Sequence, residues 1–314
     1  HREDIGNLFS RFSEIASQNK YAWFKIHRSS NEIVEETPNN RMVGFPYTKY
    51  MNSIMRVNQS AALVITSAKK ARELGIPESK WIFMHGGGCL NDIWNVTDRL
   101  NLHSSPAIKK CSQAIFNAAN CTQADISFFD LYSCFPSAVQ IARKEIGIPD
   151  EDNRDLTVTG GLPYYGGPGS AYVVNSIASM VSKLRENPGK FGMVTANGWF
   201  LTKHGAGVFS SNPFLGEWNQ VIDSSHLQKE IENSDHPEFI EEANGKGLIE
   251  TYTVVNSREG PTKAIIIGLL EDGKRFVANT EKDENLLNKM MQNEMLNTKG
   301  TVRFENSRNI FQPD

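Results

Sequence analysis

Apolar residues fall at helical spacing in the first stretch of the chain. Ile5, Leu8, Phe9, Phe12 and Ile15 predict an amphipathic helix over residues 4–18. Residues 29–58 lose that period, are polar, and contain Pro38 and Pro46, so they read as irregular chain. The unbroken run AALVIT at 61–66 predicts a buried strand, and residues 67–75 a helix ending on Gly75. From residue 81 the pattern becomes regular. Residues 81–84 predict a short strand entering the loop His85-Gly86-Gly87-Gly88-Cys89. Ser105-Pro106 predicts a helix start, with Ile108, Cys111, Ile115 and Ala118 on one face. Strand 126–131, helix 136–146 stopped by Gly147, strand 156–159, helix 170–184, and strands 191–196 and 206–210 follow. Strands alternating with helices imply right-handed crossovers, about five strands over residues 81–211, and a layered α/β domain.

The alternation stops after Pro213. Residues 216–247 are polar and acidic and read as a linker with one helix. Strand patterns then recur at 248–255, 263–270, 275–279 and 300–304, with turns at 258–261 and 272–273 and a helix near 283–295. That spacing predicts a small antiparallel barrel-like module. The expected division is 1–80, 81–215, the linker 216–247 and an OB-like domain at 248–314.

Composition narrows the function classes. The 314 residues exceed one ordinary core, and a 39% apolar, 22% charged make-up is that of a globular protein. No apolar run reaches the roughly 18–20 residues of a membrane span. The 33 Lys and Arg against 36 Asp and Glu leave a net charge of −3, which argues against phosphate-driven nucleic-acid binding as the main activity. Four cysteines, Cys89, Cys111, Cys121 and Cys134, form no C-x-x-C pair and predict neither a disulfide framework nor a zinc site. A reducing, cytoplasmic setting is expected. The first residues, His1-Arg2-Glu3-Asp4, lack a signal-peptide layout and an initiator Met, so the chain is expected to begin inside a longer product.

Three loops at strand ends carry the candidate chemistry, because open α/β sheets place ligands there. In Asp130-Leu131-Tyr132-Ser133-Cys134-Phe135-Pro136 a strand runs straight into a helix, and a cysteine beside a helix N-terminus has its thiolate favoured. A small buried cysteine packed under the helix fits the same pattern. The segment Gly160-Gly161-Leu162-Pro163-Tyr164-Tyr165-Gly166-Gly167-Pro168-Gly169-Ser170 lets backbone N–H groups approach a ligand, or simply makes a tight turn; it matches neither the Rossmann fingerprint nor a P-loop. The third loop, residues 196–207, contains the turn Asn197-Gly198 and His204, which reads either as a general base or as a structural imidazole.

The order of these three segments resembles the C-terminal half of the thiolase superfamily. Asp130–Phe135 stands where sterol-carrier-type thiolases carry E-L-H-D-C-F, and residues 160–168 stand where they carry G-G-x-x-x-x-G-H-P. The module after residue 248 brings the match closest to thiolase-like proteins of type 1. The resemblance implies a layered thiolase-like fold, with the C-terminal half largely complete and the N-terminal half truncated. It also implies an acyl-CoA-dependent acyltransferase of acetyl-CoA acetyltransferase type, working in lipid metabolism on a coenzyme A thioester with no separate cofactor and no metal. Cys134 falls on the acid/base thiol, and His204 would have to substitute for the missing G-H-P histidine if catalysis persists. Tyr132, Ser133, Gly166, Gly167, Asn197 and Gly198 fall on the oxyanion and acyl-CoA-binding positions.

Two departures matter. Tyr132 replaces an oxyanion-hole histidine, and Gly167 replaces the histidine of G-H-P. No cysteine precedes Cys89, so the acyl-accepting thiol is expected to be missing and the chain alone to be inactive. The alternative is a degenerate thiolase-like protein that binds acyl-CoA or a protein partner without catalysis. A homodimer and a monomer both fit, and a nucleic-acid-binding barrel is the least supported reading.

Overall fold

The computed structural model describes residues 1–215 and 221–314. In chain order it begins with helices α1 (Arg2–Gln18) and α2 (Ser30–Val34), strands β1 (Met42–Gly44) and β2 (Tyr47–Thr48), and helix α3 (Ala68–Glu73). Strand β3 (Phe83–Asn91), helix α4 (Pro106–Ala119), strand β4 (Ile126–Asp130), and helices α5 (Pro136–Ile146) and α6 (Tyr172–Glu186) come next. Strands β5 (Phe191–Gly198) and β6 (Lys203–Ser210) and helix α7 (Ser225–Glu232) complete the middle of the chain. The last part holds β7 (Gly245–Asn256), β8 (Pro261–Leu270), β9 (Arg275–Asn279), helix α8 (Glu284–Gln292), β10 (Lys299–Glu305) and β11 (Arg308–Pro313). The chain divides into two compact units. One comprises residues 1–33, 51–92 and 103–233, the other residues 34–50, 93–102 and 234–314.

The first unit is built on a four-stranded sheet in the order β3-β6-β5-β4. β4 and β5 are parallel, while β6 is antiparallel to both of its neighbours. Helix α4 starts as its sequence requires: Ser105 Oγ accepts the N–H of Ile108 at 3.1 Å and Pro106 occupies the first turn. Its buried face holds Ile108, Cys111, Ile115 and Ala119. α5 ends on Gly147 at φ 84°, the left-handed cap that glycine adopts without strain. α6 buries Met180 and Leu184 against Val194 of β5. α1 buries Phe9, Phe12 and Ala16, and this face lies against the glycine-rich loop. A Cβ on Gly160 would stand 2.4 Å from that of Ala16, and one on Gly161 2.5 Å from Phe12, so these two positions must be glycine.

Three expected features of this unit are corrected. Residues 61–66 form no strand; Val64 and Ile65 are 88% and 92% exposed. β propensity needs a partner edge to become a strand, and the ladders of the sheet do not reach this segment. Residues 85–89 are not a loop but the middle of β3, so residues 81–211 hold four strands. The glycines serve packing there: a Cβ on Gly86 would meet the Ile115 carbonyl oxygen at 2.6 Å, and one on Gly88 would meet Ile222 at 2.3 Å. Residues 156–159 form no strand, because the Val158 and Thr159 N–H groups go to a buried carboxylate rather than to a neighbouring strand. Residues 216–220 of the expected linker lie outside the described residues, and the rest of it contains α7.

The second unit is a five-stranded barrel. Its order is β7-β8-β9-β11-β10, closed by β10 pairing back onto β7. All pairings are antiparallel except β9 with β11. Ile249, Val254, Ile266, Phe276, Val302 and Phe311 fill it together with Leu287 and Met290 of α8. The strands expected at 248–255, 263–270, 275–279 and 300–304 fall on β7, β8, β9 and β10, whereas β11 is an addition to the expected set. Residues 34–50 also belong here: β1 joins the edge of β7 through Gly44 opposite Val255.

Candidate active site at the Cys134 turn

The site starts from Asp130, the last residue of β4. Its fully buried carboxylate accepts six hydrogen bonds. Oδ2 takes the Thr157 and Thr159 hydroxyls at 2.9 Å and the N–H groups of Val158 and Thr159 at 3.0 Å. Oδ1 takes Ser176 Oγ–H at 2.7 Å and Tyr172 O–H at 3.2 Å. A buried carboxylate is stable only when so satisfied. The consequence is that the turn leading into the glycine-rich loop is tied to the strand leading into the Cys134 turn.

The next residues are fixed one at a time. Tyr132 donates its N–H to Thr195 Oγ1 at 2.9 Å, and its ring meets Tyr172 edge-on. Burial pushes the Tyr132 phenol upward in pKa, with the nearby Cys134 charge adding to the effect. Ser133 is buried, and its hydroxyl accepts the Leu162 N–H at 3.1 Å. This hydroxyl therefore anchors the glycine-rich loop. Cys134 lies two residues before α5, and its Sγ receives the Asn197 side-chain amide at 3.7 Å. Burial raises the thiol pKa, and the Phe135 N–H and the Asn197 amide partly offset the rise.

Residues 53–59, which have no regular period in the sequence, lie across both loops. Ser53 N–H donates to the Cys134 carbonyl at 3.2 Å and Ile54 N–H to the Leu162 carbonyl at 3.3 Å. Gly167 N–H donates back to the Ile54 carbonyl at 2.8 Å, and the Gln59 amide donates to the Tyr165 carbonyl at 2.8 Å. Gly166 and Gly167 are thus buried under this segment. A Cβ on Gly166 would meet Gln59 Oε1 at 2.4 Å, and one on Gly167 would meet Ser53 Oγ at 2.2 Å. A side chain at either position would have to push Gln59 or Ser53 aside, and the covering segment closes these backbones to a ligand from that side.

His204 stands on β6 between Leu90 of β3 and Asn197 of β5. Its Nε2 is 3.0 Å from Asp92 Oδ2 and 3.1 Å from the Leu201 carbonyl. Asp92 in turn takes the Ser105 hydroxyl on Oδ2 and the Ala107 N–H at 3.0 Å on Oδ1, so it also caps α4. His204 makes no hydrogen bond to Cys134. It does share a narrow apolar cleft of about 20 Å³ with Tyr132, Asn197, Leu201, Ile108 and Cys111. The structure thus brings Tyr132, Asn197 and His204 together, and reaches Cys134 through Asn197. Gly198 only closes the β5–β6 hairpin, accepting the Thr202 N–H at 3.1 Å. His85 is packed between Phe191 and Phe214 with Nε2 on the Asn212 carbonyl at 2.7 Å, and burial lowers its pKa.

Sequence reading missed Ser53, whose segment carries no periodic signal, and Asp92, which is a lone acid next to a strand end. Among the described residues no group of three or more His, Cys, Asp or Glu could hold a metal ion, and no helix is long and apolar enough to cross a membrane.

The four-stranded sheet with its helices, the Cys134 turn and the appended barrel define a protein of the thiolase superfamily. Residues 226–307 match the thiolase-like protein type 1 additional C-terminal domain. The crystal structure of a monomeric SCP2-thiolase-like protein type 1 from Mycobacterium smegmatis superposes with a TM-score of 0.89 at 33% identity, covering 100% of this chain and 68% of that one. No curated protein matches the sequence. The chain belongs to the SCP2-thiolase-like proteins of type 1.

Proposed function

We propose that the Cys134 turn is a binding site for a coenzyme A thioester, and that the chain by itself holds the thioester without turning it over. The observation that carries this reading is the state of Cys134. Its thiol has a raised pKa, an amide rather than an imidazole on Sγ, and glycine at the position where the resembling thiolases have their activating histidine. Thiolase chemistry needs a thiolate and a poised base. Asn197 Oδ1 is buried with no hydrogen-bond partner in the structure, which leaves an acceptor for a ligand N–H or O–H.

Acyl transfer of acetyl-CoA acetyltransferase type is the second reading. It is favoured by the cleft that Tyr132, Asn197 and His204 share, with His204 as base and Cys134 as acid/base thiol. Two measurements separate the readings. Calorimetric titration with acetyl-CoA and coenzyme A tests binding, and thiolysis of acetoacetyl-CoA tests turnover in wild type, His204→Ala and, as a control, His85→Ala. Binding without thiolysis supports the first reading. Thiolysis that His204→Ala removes and His85→Ala keeps replaces it with the second. The relative from Mycobacterium smegmatis is described as monomeric, and we place this chain in the same state, which sedimentation velocity checks.

A further inference from the structure

The thioester-binding reading leaves open which group receives the carbonyl oxygen, since Tyr132 stands where the resembling thiolases have their oxyanion-hole histidine and Gly167 where they have their activating one. Ser53 stands over Gly167. Its Oγ is 2.2 Å from where the Cβ of residue 167 would lie, so it occupies the start of the path that a side chain at 167 would follow. Its position is set on both sides of the site. The Ser53 N–H is held by the Cys134 carbonyl at 3.2 Å, and the following residue bridges Leu162 and Gly167. The Ser53 hydroxyl itself makes no hydrogen bond to a described residue, and the side chain is half-buried. The O–H is therefore a donor with unused capacity beside the Cys134 turn.

We propose that Ser53 is a ligand-binding residue of this site, donating its hydroxyl to the thioester carbonyl oxygen. This rests on the thioester-binding reading. An aliphatic hydroxyl donates a hydrogen bond as an imidazole N–H does, but it does not take up a proton near neutral pH. The Ser53 and Gly167 pair therefore keeps the donor and gives up the base. It follows that the site distinguishes an acyl thioester, which has a thioester carbonyl, from coenzyme A, which ends in a free thiol.

Calorimetric titration of wild type and Ser53→Ala with acetyl-CoA and with coenzyme A tests this. Loss of one hydrogen bond predicts that Ser53→Ala weakens acetyl-CoA binding about five-fold and leaves coenzyme A unchanged. Equal weakening of both ligands, or of neither, overturns the assignment while leaving the thioester-binding reading in place. Absence of binding by the wild type overturns both. The contact itself has a separate test in thermal unfolding. Gly167→Ala is expected to lower Tm, and Ser53→Gly in the same chain to restore much of it. Additive losses would show that Ser53 Oγ does not occupy the space above Gly167.

Discussion

His204 donates through Nε2 to Asp92 Oδ2 at 3.0 Å, and both side chains are buried. The Leu201 carbonyl at 3.1 Å can only accept, and the Ser105 hydroxyl at 3.5 Å already donates to Asp92, so this nitrogen carries a proton. The pair joins β6 to the start of α4, because Asp92 also binds Ser105 and Ala107. His204→Ala is expected to destabilise the protein by about 3 kcal/mol, as loss of one partner leaves a buried carboxylate short of a donor. Urea unfolding measures this. Asp92→Ala should cost a similar amount, and the double variant clearly less than the sum. Full additivity would mean the two side chains do not act together.

Three of the four cysteines should separate by alkylation rate. Cys89 is exposed, Cys134 is half-buried with a raised pKa, and Cys111 is buried with its thiol pushed up to about 12. Thiolate is the reactive form, so the expected order is Cys89, then Cys134, then Cys111, with Cys134 accelerating as pH rises beyond the ordinary thiol range. Asn197→Ala removes a donor that favours the thiolate and should slow Cys134 labelling. Peptide mapping after timed alkylation reads this order, and a Cys134 rate no higher than that of Cys111 would contradict it.

The same burial makes stability fall in alkali. Cys111 and Cys121 have thiols raised to about 12 and about 11, both chiefly by burial. Below the unfolded-state thiol pKa, near 8.5, both states keep the proton and stability is unaffected. Above it the unfolded chain ionises first, so stability is lost progressively as pH rises toward 11–12. Cys111→Ala should flatten part of that slope in urea unfolding between pH 8 and 10.5. An unchanged slope would argue that Cys111 is not the buried thiol responsible.

Asp130 should be a structural requirement of the site. Asp130→Ala leaves two threonine hydroxyls, two N–H groups, a serine and a tyrosine without their shared acceptor. A loss of about 3–5 kcal/mol is expected, the range for breaking a buried charged network. Asp130→Asn keeps the shape but brings its own N–H donors against existing ones, so it should recover only part of that loss. Guanidinium unfolding distinguishes the two.

In the barrel unit, Arg275 is 2% exposed. It grips Glu250 through Nε at 2.7 Å and Nη2 at 2.6 Å, and its Nη1 holds the Thr97 and Arg99 carbonyls at 2.6 Å. Arg275→Lys replaces a planar fork by a single ammonium and cannot serve both partners. It should lower the thermal midpoint nearly as far as Arg275→Ala, a result that a role through charge alone would not give.

Much of this protein is legible in its amino-acid order, and the reason is local. Ser105-Pro106 starts a helix, Gly147 stops one, and the strand patterns at 248–255, 263–270 and 275–279 fall on β7 to β9, because capping, left-handed glycine and side-chain period act within a few residues. Cys134, Asn197 and His204 stood out because the sequence places each after an expected strand end, although Asn197 and His204 lie within β5 and β6. What pairs with them did not. Residues 61–66 have a strand's composition and stay unpaired, while the glycines at 86–88 look like a loop and run inside β3, because pairing depends on which edges the tertiary structure presents. The 53–59 segment carries no period at all, yet its placement puts Ser53 over Gly167, more than a hundred residues further along the chain. Asp92 and His204 are as far apart. Contacts between residues so distant in sequence arise only when helices and sheet have packed, and it is that packing which decides what surrounds Cys134.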